Sequence, residues 1–99
     1  MSEAILKRQI MDWLNTQPGA YCRVIQISGI HGRKSLSKGV ADILGAYKGR
    51  PLAIEVKVGA NKPEPDQEEF LRLWMRRGGG ISVVAYSLDD VITALRAYT

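Results

Sequence analysis

The chain has 99 residues, 45% hydrophobic and 24% charged, a composition that excludes a disordered polymer and leaves room for one compact domain, residues 1–99. A single cysteine and a single histidine exclude an intramolecular disulfide and a Cys/His zinc site within one chain. The net charge of +4 is uneven: residues 1–50 hold eight Lys/Arg against three Asp/Glu, and residues 51–99 hold six against seven, so the front half suits a polyanionic partner such as nucleic acid.

Ser2 is an N-cap for a first helix running to about Thr16, with Leu6, Ile10, Trp13 and Leu14 at helical spacing on its buried face. Gln17-Pro18-Gly19 ends it. Tyr21 to Ser28 is rich in β-branched and aromatic residues and reads as a strand, with Cys22 as a small buried side chain. Gly29 to Gly39 is basic, glycine-punctuated and non-periodic, hence a loop. Strands are expected over Val40–Tyr47 and Leu52–Val58, joined by a hairpin connection at Lys48-Gly49-Arg50-Pro51 and therefore antiparallel. After a loop at Gly59–Pro63, Pro65 opens a helix carrying Gln67 through Arg77, stopped by Gly78-Gly79-Gly80. Its apolar side holds Phe70, Leu71, Leu73 and Trp74, while Arg72, Arg76 and Arg77 form a solvated face. Ile81 to Tyr86 is an apolar run expected of a strand covered on both faces. Ser87 caps a last helix, with Asp90 at capping-box spacing and Val91, Leu95 and Tyr98 on one side. The order αβββαβα predicts an α/β fold, a mixed sheet flanked by helices. No apolar leader or long apolar span is visible, so a cytoplasmic protein without membrane contact is expected.

Asp42 and Glu55 are the informative residues. Acidic side chains are depleted in strands, yet these two are embedded in Val40-Ala41-Asp42-Ile43-Leu44 and Ala53-Ile54-Glu55-Val56-Lys57-Val58. Glu55 and Lys57 leave the same face of their strand, while Ile54, Val56 and Val58 leave the other and enter the core. If the hairpin pairs as read, Asp42 lies opposite that polar face. Two adjacent carboxylates repel unless a proton or cation intervenes, and an oxygen-liking divalent metal such as Mg²⁺ neutralises them. A metal polarises a phosphoryl oxygen and activates water, while Lys57 orients that water or offsets charge on the phosphate. A plain Asp/Glu/Lys salt-bridge cluster across two strands is the alternative.

The ordered set Gly39-x-x-Asp42, Glu55-x-Lys57 and Gln67 resembles the PD-(D/E)xK nucleases, and more closely their VRR-Nuc branch. The similarity extends through Gly78–Gly80, Ile81–Tyr86 and the helix start Ser87-Leu88-Asp89-Asp90-Val91, with Ala41 where many relatives have proline. The resemblance implies a restriction-endonuclease-like core and a Mg²⁺- or Mn²⁺-dependent endonuclease acting on DNA. Asp42, Glu55 and the carbonyl of Val56 would hold the metal, helped by Glu3 on the first helix. Lys57 would be the catalytic lysine and Gln67 a supporting residue. Relatives made of this domain alone resemble phage-type, Holliday-junction-resolvase-like enzymes, which implies branched DNA as substrate, a homodimer and a bacterial or phage-infected cell. A non-catalytic DNA-binding module with the same fold is the second reading, and a structural oligomerising protein the third.

Arg33, Lys34 and Lys38 in the basic loop, with Lys62 in the next, are candidates for phosphate contacts. His31 has no companion motif and reads as a surface histidine; Lys34-Ser35 lacks the glycines of a phosphate loop. Replacing Arg33 and Lys34 with alanine is expected to weaken DNA binding and flatten its salt dependence, and an unchanged salt slope would remove these residues from the interface.

Overall fold

Among the described residues, four strands and three helices follow one another in the order expected. The structure, a computed structural model, describes residues 1–26 and 39–98. The elements are α1 (Glu3–Leu14), β1 (Ala20–Val24), β2 (Ile43–Tyr47), β3 (Arg50–Val56), α2 (Pro65–Arg76), β4 (Ile81–Ala85) and α3 (Leu88–Arg96). The sheet runs β1-β2-β3-β4; the first two pairings are antiparallel and β3 pairs with β4 in parallel, with α2 as the crossover.

Local chemistry explains the boundaries. The Ser2 hydroxyl accepts the Ile5 N–H at 3.1 Å, satisfying one free donor at the start of α1. Glu64 caps α2, and the Gln67 side chain reaches back to accept the Glu64 N–H at 2.8 Å. Ser87 caps α3 by accepting from the Asp90 N–H at 3.2 Å. The β2–β3 connection is tighter than expected. Lys48 (φ 50°) and Gly49 (φ 81°) form a two-residue turn between the paired Tyr47 and Arg50, so β3 starts at Arg50.

Binary alternation along β3 divides the core. Leu52, Ile54 and Val56 face α1 and α3, where they pack with Leu6, Ile10, Leu14, Ile43, Val91 and Leu95. Ala53 faces α2 and packs with Ala41 and Leu71, flanked by Leu44, Phe70, Trp74 and Val84. The result is a three-layer arrangement with β3 at its centre. Cys22 is buried in the α1 side, where desolvation raises its pKa and keeps it a thiol. None of the described helices is long and apolar enough to cross a membrane.

β1 ends at Val24 rather than Ser28, and residues 27 and 28 lie outside the described residues. β2 begins at Ile43, not Val40, so Asp42 sits one residue ahead of the strand. Gly39 explains part of this: it adopts φ 86° and lies against the Asp66 backbone, where a Cβ would come within 2.5 Å of the carbonyl oxygen. The chain is thus pinned on the first turn of α2 before it enters the sheet.

Gly45 in β2 is the tightest point of the sheet, since a Cβ there would collide with the Tyr21 carbonyl and the Cys22 backbone of β1. Gly45→Ala is expected to destabilise the protein by about 1–3 kcal/mol through overpacking, read by urea denaturation. Gly49→Ala, which meets nothing within 4 Å and is strained only in φ, is the control for backbone effects.

Candidate active site

The β2–β3 register brings the two carboxylates together. Ile43 pairs with Ile54, so continuing the ladder by one position sets Asp42 across from Glu55. Each carboxylate then takes a backbone donor from the opposite strand. Glu55 Oε1 accepts the Asp42 N–H at 3.2 Å, and Asp42 Oδ2 accepts the Val56 N–H at 2.8 Å. The Asp42 carbonyl, in turn, accepts the Ile25 N–H at 2.8 Å, which ties the site to the end of β1.

Two lysines bracket the pair. Lys57 Nζ lies 3.5 Å from Glu55 Oε2, and Lys7 Nζ lies 3.6 Å from Asp42 Oδ1. Lys57 follows Glu55 by two residues and therefore emerges on the same side of β3. Its backbone N–H bonds to the Ala85 carbonyl of β4 at 3.0 Å, which fixes the base of the side chain.

Glu55 is 1% exposed and is the one buried charged residue among those described. Desolvation pushes its pKa up to about 7, Asp42 adds to the rise by charge repulsion, and Lys57 opposes it. The buried carboxyl thus sits close to the point where a proton or a cation can neutralise it at physiological pH. A hard divalent cation fits this donor set, because Mg²⁺ sites typically use one or two protein carboxylates and leave other positions to water and substrate.

The other expected site residues are placed as follows. Gln67 is half-buried at the third position of α2, with its carbonyl oxygen in the cap of that helix. Glu3 is half-buried in the first turn of α1, one turn before Lys7. Among the described residues no three His, Cys, Asp or Glu side chains cluster as a metal cage, so Glu3 does not form one with Asp42 and Glu55. Lys62 is exposed on the loop after β3. Arg33, Lys34 and Lys38 lie outside the described residues, as does His31. Lys7 is the residue that sequence reasoning missed. Its signal was available: it adjoins Leu6 and lies four residues after Glu3, hence on the same face of α1.

No family model and no curated protein sequence matches the chain. A solved structure described as a VRR_NUC domain protein is similar to it over 99% of this chain and 88% of the other, with a TM-score of 0.74 and 23% sequence identity. The chain has the fold of that protein, as the Asp42, Glu55-x-Lys57 spacing leads one to expect.

The displaced Glu55 pKa makes stability pH-dependent. Between its ordinary value of 4.5 and about 7, the folded chain holds a proton that the unfolded chain has released, so stability falls as pH rises through this window. In EDTA the protein is expected to lose roughly 1–3 kcal/mol between pH 5 and pH 8, measured by urea denaturation, with Glu55→Gln removing most of the loss. A wild type and variant with the same pH profile would show that Glu55 ionises normally.

Proposed function

We propose that this chain is a metal-dependent endonuclease of the VRR-Nuc kind that hydrolyses phosphodiester bonds in DNA. The observation that carries this reading is the reciprocal contact of Asp42 and Glu55 across the β2–β3 end, with Lys57 on the same side of β3. The fold shared with a VRR_NUC domain protein supports the same reading.

Asp42 and Glu55 would hold Mg²⁺ or Mn²⁺, assisted by the Val56 carbonyl. When bound, the metal supplies a Lewis acid for a phosphoryl oxygen and lowers the pKa of coordinated water. The chain's own residues do the remaining work. Glu55, with its pKa near 7, can release its proton at neutral pH, where a bound cation would take the proton's place. Lys57, 3.5 Å from Glu55 Oε2, is placed to offset negative charge gathering on the phosphate. The Val56 N–H holds Asp42 Oδ2 in place, while Oδ1 is paired with Lys7. Gln67 supports the site by fixing the first turn of α2, against which Gly39 packs just ahead of Asp42. Glu3 stands apart from the Asp42–Glu55 pair and has no part in holding the metal in this proposal, while Arg33, Lys34, Lys38 and Lys62 are proposed to contact DNA phosphates. Branched DNA as the preferred substrate and a homodimer with one site per cut strand complete the proposal, with the cytoplasm as its location.

A second reading is favoured by one observation. Lys7 and Lys57 each stand beside one carboxylate, so the pair is neutralised by the chain's own cations. On that basis the chain would be a DNA-binding module that retains the nuclease fold without cutting.

Cleavage of labelled four-way-junction and linear duplex DNA separates the two readings. Cutting is expected with Mg²⁺ or Mn²⁺ and none in EDTA, with Lys57→Ala slower by about 10²-fold or more. The junction is expected to be cut faster than the duplex. Folded wild type that binds DNA but cuts with neither metal would establish the binding module instead.

A further inference from the structure

A groove of about 760 Å³ opens between α1 and β1, next to the paired carboxylates. Its cations are Lys7, Arg8 and Arg23, and its apolar surface includes Met11, Val24 and Ile25. No carboxylate lines it among the described residues, although the chain carries ten Asp and Glu. That composition rejects a cationic ligand and suits an anionic one.

The basic groups are only partly committed. Neither Arg8 nor Arg23 makes an ion pair among the described residues. Arg23 is held in place by an uncharged neighbour: its Nε donates to Tyr21 Oη at 3.2 Å, and its guanidinium carbon lies 5.6 Å from the Tyr21 ring centre. Tyr21, 67% exposed, shares a face of β1 with Arg23, while Val24, 36% exposed, leaves the other face toward α1. An arginine laid over an aromatic ring is preorganised, which reduces the entropy lost when an anion docks.

The groove communicates with the candidate active site at two points. Ile25 donates its N–H to the Asp42 carbonyl, and Lys7 Nζ stands 3.6 Å from Asp42 Oδ1. A ligand that follows the cations therefore reaches Asp42. Repeated negative charge combined with flat, weakly polar surface is the chemistry of an unpaired nucleic-acid strand. A duplex would offer the cations its phosphates but keep its base faces stacked away from Met11, Val24 and Ile25. A strand from a second copy against β1, an edge strand of the sheet, would leave Arg8 and Arg23 without a role.

We propose that the groove between α1 and β1 binds an unpaired nucleic-acid strand, with phosphates on Lys7, Arg8 and Arg23 and bases or sugars on the apolar surface, and leads it to Asp42. The strand's destination rests on the nuclease reading; the binding itself does not require cleavage.

The test is fluorescence anisotropy of the full chain with a labelled oligo-thymidine strand and with a blunt duplex of the same length, titrated in EDTA at several salt concentrations. The double variant Arg8→Ala/Arg23→Ala is expected to bind the single strand at least about tenfold more weakly at low salt, with a salt slope shallower by about 0.7 per lost contact. The loss for duplex is expected to be smaller. Val24→Asp, which adds a carboxylate at a half-open position, is expected to weaken strand binding without loss of the folded circular dichroism spectrum. Equal weakening for strand and duplex would make the groove a general phosphate surface and overturn the proposal, as would unchanged strand affinity. A shift in oligomeric state of the double variant by sedimentation would assign the groove to a second copy. Cleavage is scored separately. A wild type that never cuts, yet loses strand affinity with the two arginines, would refute the nuclease reading and leave the groove assigned. A wild type that cuts while the arginines leave strand binding untouched would do the reverse.

Discussion

Glu55 is buried as a potential charge at the end of the central strand, and much of the surrounding structure serves to make that tolerable. An isolated carboxylate in such a place would be strongly disfavoured in its ionised form. Here Glu55 accepts the Asp42 N–H, faces the Lys57 ammonium and titrates near neutrality. Asp42 has the complementary position: its side chain takes the Val56 N–H just where the β2 backbone leaves the ladder. The two carboxylates thus replace regular strand pairing with side-chain acceptors, and in doing so come to face one another.

Such an arrangement has limited value as a stabilising device. Buried ion pairs recover little more than their desolvation cost, and hydrophobic residues of similar volume often serve stability as well. Its chemical value is larger. Paired carboxylates between two ammonium groups form a balanced set, and adding a divalent cation or an anionic phosphate disturbs that balance in a defined direction. Lys7 and Lys57 differ in this respect. Lys57 is nearly buried and fixed to β3, whereas Lys7 comes from α1 and is more open. It therefore stands at the boundary between the carboxylates and the groove beyond them.

Charge distribution acquires a spatial meaning from the fold. The excess of cations in residues 1–50 is visible in the composition and includes the run Arg33, Lys34 and Lys38. Among the described residues, the cations that line one groove are Lys7, Arg8 and Arg23, from a helix and a strand. Each looks like an ordinary solvent-facing residue of its own element. Their convergence depends on how α1 packs across β1, which no local pattern encodes.

The sequence by itself determined the element order, the caps at Ser2 and Ser87, the antiparallel β2–β3 pair, and the candidate status of Asp42, Glu55 and Lys57. All of these rest on short-range rules: capping chemistry, turn residues, and the period of two that sends Glu55 and Lys57 to one face and Ile54 and Val56 to the other. Gly39 and Gln67 were legible as motif members, but not the contact of Gly39 with the first turn of α2 or the use of the Gln67 carbonyl as a cap. Tertiary structure alone decided that Asp42 stands just outside its strand, that Lys7 rather than another α1 residue pairs with it, and that a groove without a carboxylate among the described residues adjoins the pair. The physical reason is that these features depend on packing between separate elements. Period and propensity specify which face a residue occupies, while the partner it meets there depends on how the layers are stacked.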